Sequence, residues 1–344
     1  MPGSVQEFMA TMVMAPQALP LEQAVALVQE RYGLEARARR LTGERDENFR
    51  ITAAAGGEYV LKVAHPAEDV AVTELSTAAL LHLQRADPGL PCPRVIPGRG
   101  GEIWCRFTDA HGRERAARLL SYLPGEPLAD ANPARALREA CGQLGGRLTR
   151  ALRTFGHPAA HRVIVWDVRH AGALAGLLAE LPPCPWRAAA VAVLARIVPR
   201  IDSQFAALPQ QVVHNDLNPR NILTHAGELS GIIDFGDLTH TAIIADVAVA
   251  AAENIPADCS AGGGAAADAV RDVAGAYHAL VPLSAAELAL LGPLVAARLV
   301  ANVVVHEWHL QRNPAGEHYR PLTADFIRER LQIAAQLSLG AFQL

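Results

Sequence analysis

The stretch HNDLNPRNIL, residues 214–223, sets an aspartate, Asp216, and an asparagine, Asn221, five positions apart in a mostly apolar window. Shortly after it the chain reads GIIDFGD, residues 231–237, where a short apolar run delivers Asp234 to a turn. Two strand ends then present Asp216, Asn221 and Asp234 at one edge. Phosphoryl transfer accounts for this set. One aspartate takes or orients the proton of an attacking hydroxyl, while an asparagine and a second aspartate hold Mg²⁺ against nucleotide phosphates. Mg²⁺ is a hard cation that shares its shell with phosphates and water, so one carboxylate and one amide oxygen suffice. Pro219 helps turn the chain back between the two residues, and His214 reads as a buried orienter of the loop rather than a base. Aspartate and asparagine are also common in turns and helix caps, which is the plainer reading of the same residues.

Upstream, residues 21–32 carry apolar side chains at helical spacing and Gly33 is placed to end that helix. Strand-like pieces follow at 36–42, 48–53 and 58–64, with Gly56-Gly57 as a hairpin turn, so an antiparallel sheet is expected. A helix is predicted over 71–86 and further strands at 88–96, 102–110 and 114–123, the last running into a hinge at Pro124-Gly125. From Pro133 the pattern is helical: 134–155, 185–208, 268–280, 285–311 and 323–341. The expected fold is α+β in two lobes: a small antiparallel-sheet lobe over 1–122 and a mainly helical lobe over 123–344. Disorder is expected only at the N-terminus and around Gly262–Gly264.

Composition narrows the function. A net charge of −4 leaves no basic footprint for nucleic acid. The five cysteines (Cys92, Cys105, Cys141, Cys184 and Cys259) are scattered with no CxxC pair, which argues against a disulfide framework or a zinc site. No apolar run is expected to reach the length of a membrane span, the nearest being TAIIADVAVAAA at 241–252, and the first residues lack the pattern of a secretory signal. A soluble cytoplasmic protein acting on a small molecule, with neither membrane nor nucleic acid as partner, is the expectation.

The ordered set HNDLNPRNIL and GIIDFGD, with DENF, YVLKV, LLSYLPGEPL and HPAAHRVIVWDVRHA, resembles the aminoglycoside phosphotransferase and choline kinase group of small-molecule kinases. In that group the loop usually reads HGDxHxxN, followed by IDF or IDW. Asn215 stands where glycine is usual and Asn218 where histidine is common; Asn218 and the DFGD ending resemble the hydroxylysine kinase subgroup, which argues against antibiotic modification. The resemblance implies a protein-kinase-like two-lobed fold with ATP or GTP between the lobes. It implies Asp216 as catalytic base, Asn221 and Asp234 as Mg²⁺ ligands, and Lys62 on the phosphates with Glu74 paired to it. The turn at 42–49 would cover the phosphates through Thr42 and Asn48, and backbone groups from Ser121 to Leu123 would meet the purine. The implied acceptor is a small amino alcohol or hydroxylated amino acid, 5-hydroxylysine first.

Three residues are expected on the acceptor side. Asp237 suits a substrate amine or a turn cap, and Trp166 suits a pocket wall or the core. Arg298 shares one helical face with Asn302 and His306 and would grip a carboxylate, the alternative being a surface salt bridge. Other acceptors (an aminoglycoside, choline, ethanolamine or homoserine) would use the same machinery. A protein kinase is disfavoured because no APE segment follows the DFG at Gly236. A nucleotide-binding scaffold without turnover is the alternative from a different class.

Overall fold

The computed structural model describes residues 3–14, 18–43, 45–128, 133–256, 263–313 and 321–344. Glu44 of the turn at 42–49, Cys259 and Gly262 lie outside them.

The first half of the chain builds α1 (Val5–Met12), α2 (Leu21–Tyr32), β1 (Ala36–Leu41), β2 (Glu47–Ala53), β3 (Glu58–Val63), α3 (Val70–Ala86), β4 (Val95–Ile96), β5 (Cys105–Thr108) and β6 (Glu114–Ser121). The strands form one antiparallel sheet in the order β1-β2-β3-β6-β4, with β5 also on β6. Period-2 alternation divides its faces. Phe49, Ile51, Leu61, Val63 and Leu119 are fully buried with Leu27 and Val28 of α2. Lys62 stands on the other face, in register with Asn48 on β2 and Arg118 on β6.

The chain leaves this sheet after Ser121, and its next strand, β7 (Glu126–Pro127), pairs with a different one. The remaining elements are α4 (Arg135–Leu152), α5 (Leu174–Glu180), α6 (Arg187–Gln204), β8 (Gln210–Val213), β9 (Ile222–His225), β10 (Glu228–Ile232), β11 (Thr239–Ala242), α7 (Ile243–Glu253), α8 (Gly263–His278), α9 (Ala285–Arg312) and α10 (Ala324–Leu337). Helix α9 starts on a capping box between Ser284 and Glu287, and α6, α7 and α10 pack around it.

Four expectations need correction. Gly263 and Gly264, where disorder was expected, open α8. The N-terminus is not disordered over the described residues: α1 is capped by Ser4 and buries Val5, Phe8, Met9 and Met12, which have the i, i+3, i+4, i+7 spacing of one helical face. Residues 243–253 form a helix absent from the sequence reading; it is buried nearly all round, which erases the amphipathic stripe that marks a helix. Finally, α9 does reach the length and apolarity of a membrane span, and 83% of that window is buried against the protein's own helices, as in a core helix. The larger core unites these helices with α1 and the inner face of α3, so α3 ties the sheet to the helical part.

Candidate active site

The loop bearing Asp216 runs from β8 into β9 and is fixed from below. His214 is fully buried; its Nδ1 accepts the amide of Asp216 at 3.3 Å, so the proton sits on Nε2, which donates to Ile233 O at 3.2 Å. Burial lowers its pKa and keeps it neutral. The orienting role expected of His214 is what the geometry gives it. Asn215 has φ 64°, the left-handed region that glycine enters freely and asparagine tolerates, which accounts for a residue other than glycine here. Its amide donates to Asp246 Oδ1 at 2.7 Å, so Asp246 anchors the loop.

Asp216 emerges with both carboxylate oxygens held. Asn221 Nδ2 donates to Oδ2 at 2.7 Å and to the Asp216 carbonyl at 3.0 Å, and Arg298 Nη2 donates to Oδ1 at 3.0 Å. The five-residue spacing therefore closes a ring between the two side chains. Asn218 turns the loop by accepting the amide of Arg220 at 2.8 Å. The amide of Ile233 donates to Asn221 O at 2.8 Å, which joins the loop to the strand carrying Asp234.

Asp234 also has a left-handed backbone, φ 60°, and its Oδ1 meets Lys62 Nζ at 2.9 Å across 172 residues of sequence. The Lys62 charge, working against burial, holds the Asp234 carboxyl down at about 2. Burial alone would lower the Lys62 amine; Asp234 first and Asp46, at 3.7 Å, more than offset it and hold the amine above the ordinary lysine value. Lys62 is the only lysine in the chain, whose other basic residues are all arginine. That signal was legible in the sequence.

The Lys62–Glu74 pair expected from the resemblance is not formed. Glu74 lies on the less buried stripe of α3 with Ala71, Ala78 and Leu81, while the lysine's carboxylate neighbours are Asp234 and Asp46. Helix α3 is tied to the sheet instead by Arg118, whose Nη1 donates to Thr73 O at 3.2 Å. Asp46 and Arg118 are site residues that the sequence reading missed. Burial, with Asp46's charge adding, raises Glu68 to about 7 beside Arg45 at 3.5 Å.

In the covering turn, Asn48 Nδ2 donates to Thr42 O at 3.3 Å, and Thr42 itself is exposed. A Cβ at Gly43 would meet Asp46 O at 2.3 Å, so this close turn requires its single glycine. At the hinge the amides of Ser121 and Tyr122 already donate to Arg94 O and Glu58 O, and the Ser121 hydroxyl accepts from Arg94 N at 2.9 Å. Ser121 is thus engaged within the sheet, while Leu123 lies beyond the strand and packs near Gly231.

On the far side of Asp216, Arg298 is 4% exposed and links Asp216 to Glu253, with Nε on Glu253 Oε1 at 2.7 Å. It is not a surface salt bridge. Asn302, one turn on, donates to the same Oε1 at 2.8 Å, and the Trp166 ring lies 4.8 Å from the guanidinium. The segment around Trp166 also braces the loop that follows Asp234. Arg162 Nε donates to Leu238 O at 3.1 Å and its Nη2 donates to Gly236 O, and the guanidinium lies 4.0 Å from Asp237. Asp167 accepts from the Thr241 hydroxyl at 3.1 Å. Arg162 and Glu253 escaped the sequence reading because no periodicity links them to partners 74 and 45 residues away.

Residues 37–283 match the model of the phosphotransferase enzyme family. This chain belongs to that family. The phosphotransferase is 25% identical over 331 residues to hydroxylysine kinase of Mus musculus, covering 88% of this chain and 85% of that one. It is 27% identical over 265 residues to homoserine kinase of Methylobacillus flagellatus, covering 72% and 71%. Its fold is that of the amicoumacin kinase hAmiN, solved in complex with AMP-PNP, Ca²⁺ and Ami, with a TM-score of 0.66, 16% identity and 92% of each chain covered. The two-lobed α+β kinase-like architecture and small-molecule kinase activity expected from sequence therefore hold for this phosphotransferase.

Proposed function

We propose that the enzyme transfers the terminal phosphate of ATP or GTP to the hydroxyl of a small amino alcohol or hydroxylated amino acid, with 5-hydroxylysine the favoured acceptor. The observation that carries this reading is the Asp216 carboxylate, gripped at both oxygens beside the Asp234–Lys62 pair. In the step, the acceptor oxygen bonds to the γ-phosphorus as the bond from that phosphorus to the β–γ bridging oxygen breaks. The hydroxyl proton passes to Asp216 and the nucleoside diphosphate leaves. Arg298 and Asn221 fix the carboxylate so that it meets the hydroxyl without reorganising.

Lys62 balances phosphate charge from the floor of the cleft, between a lobe over 1–122 and a lobe over 123–344. The turn bearing Thr42 and Asn48 covers the phosphates, and the purine lies near Leu123. Asn221 and Asp234 suit a divalent cation: the Asn221 amide nitrogen is committed to Asp216, which leaves its oxygen as a donor, and Asp234 is ionised. Mg²⁺ bound there offsets charge on the phosphates. The AMP-PNP and Ca²⁺ held by hAmiN support a nucleotide and a divalent cation in this fold. Asp237 and Trp166 line the acceptor side. The four described cysteines are free, which suits a reducing cytoplasm.

Similarity to hydroxylysine kinase across most of both chains favours 5-hydroxylysine; similarity to homoserine kinase makes homoserine the second reading. The test is nucleoside diphosphate release with Mg²⁺ and ATP or GTP against 5-hydroxylysine, homoserine, ethanolamine, choline and an aminoglycoside. Release with 5-hydroxylysine and one nucleotide is expected. Release with homoserine alone moves the acceptor, and release with none, while nucleotide still binds, overturns the reading in favour of a scaffold.

A further inference from the structure

Glu253 accepts Arg298 Nε and Asn302 Nδ2 through one oxygen, Oε1, which leaves Oε2 outside both bonds, and its side chain is 19% exposed. Arg298 is almost wholly buried, yet among the described residues its Nη1 has no hydrogen-bond partner although Nε and Nη2 are both engaged. A buried guanidinium donor left unmatched is destabilising, so a group that supplied an acceptor there would relieve that cost on binding. Trp166 covers part of the guanidinium, and Nη2 sits 3.0 Å from the base.

Charge points the same way. Asp216, Glu253 and Asp237 all act on the Arg298 cation, and with Arg162 4.0 Å from Asp237 two guanidiniums face three carboxylates, so the acceptor side favours a ligand that brings positive charge. Glu253 is also the last residue of α7, eleven residues long, whose terminal carbonyls favour a cation.

We propose that Glu253 and Arg298 form a paired-charge reader for the head of an α-amino acid, with Glu253 Oε2 on the ammonium and Arg298 Nη1 on the carboxylate. This inference rests on the phosphotransfer reading above and narrows its acceptor to α-amino acids that carry a side-chain hydroxyl. The two charges of such a head share one carbon, and their protein counterparts are already side by side at 2.7 Å. Amino alcohols without the carboxylate and hydroxy acids without the α-amine each satisfy half of the pair.

The experiment compares three acceptors of one skeleton: 5-hydroxylysine, 1,5-diaminopentan-2-ol, which lacks only the carboxylate, and 6-amino-5-hydroxyhexanoate, which lacks only the α-amine. If homoserine is the acceptor, 3-aminopropan-1-ol and 4-hydroxybutanoate take their places. Each truncated acceptor is expected to lose about tenfold or more in kcat/KM, chiefly through KM. Glu253→Gln keeps an amide oxygen for Arg298 and Asn302 and removes the charge. It is expected to raise KM about tenfold for the parent amino acid and to leave KM for the acceptor lacking the α-amine within about threefold. An equal rise for both makes Glu253 structural and overturns the inference, as does equal use of all three acceptors by the wild-type enzyme. Those results leave the phosphotransfer reading standing, whereas turnover of no acceptor at all removes that reading and the inference together.

Discussion

Replacing Asp246 by asparagine isolates the energetics of the catalytic-loop anchor. Asp246 is 1% exposed, and burial first drives its carboxyl from 3.8 to about 7, against the pull of the Asn215 and His214 amides and with the Asp216 charge adding. A carboxyl raised in the native state binds its proton more tightly there than in the unfolded chain. Its contribution to stability is complete below about pH 4 and is lost as pH rises through 7. Between pH 5 and pH 8 that loss is about 2–3 kcal/mol. Asparagine keeps an oxygen for the Asn215 amide and does not titrate. Urea unfolding of both proteins at pH 5, 6, 7 and 8 gives two stability profiles, and their difference is the quantity of interest. Subtraction removes His65, His170 and His214, which burial lowers and which cost stability as pH falls below their ordinary value. The difference should shift by about 2–3 kcal/mol in favour of Asp246→Asn between pH 5 and pH 8. Profiles that stay parallel within about 0.5 kcal/mol would refute a protonated anchor.

Asn215→Gly removes a left-handed asparagine whose side-chain amide oxygen and nitrogen are both buried without partners among the described residues. Relief of roughly 1 kcal/mol of backbone strain and of the unmatched amide outweighs the extra chain entropy of glycine, for a net gain of about 1 kcal/mol. A thermal melt should rise by roughly 2 °C, and a fall would mean that the amide supports the loop. Glu74→Gln should leave turnover within about twofold of wild type, since Lys62 leans on Asp234 and Asp46; a loss of about a hundredfold would restore the Lys62–Glu74 pair in the working enzyme. Because Lys62 is the only lysine, a nucleotide bearing an acyl phosphate should acylate that one side chain, with excess unmodified nucleotide protecting it. Mass spectrometry finding no adduct at Lys62 would count against its place on the phosphates.

The loop chemistry was legible because each residue type has a local task. His214 orients the Asp216 amide, Asn218 turns the chain, and Asn221 closes on Asp216 from five residues away. The sheet was legible for the same reason, as alternation put Lys62 opposite the face of Leu61 and Val63. What escaped lies where two distant segments meet. Arg162 on Gly236 and Arg298 on Glu253 join parts of the chain that no periodicity connects, whereas Asp46, one residue before β2, lies diagonally across the β2–β3 pair from Lys62 and was overlooked. Glu74 was misplaced by spacing from Lys62, although its helical stripe with Ala71, Ala78 and Leu81 marks the outer side of α3. Helices α1 and α7 show opposite cases: the first carried a readable apolar face, and the second was too uniformly apolar to show one.

In the proposed mechanism Asp216 takes the acceptor's proton while Lys62 and Asp234 serve the phosphates. The most direct measurement is single-turnover phosphate transfer by Asp216→Asn alongside its nucleotide affinity. Transfer should fall by about 10²–10⁴-fold with nucleotide affinity close to wild type. Transfer at near wild-type rate, or a fall explained wholly by lost nucleotide binding, would contradict the account.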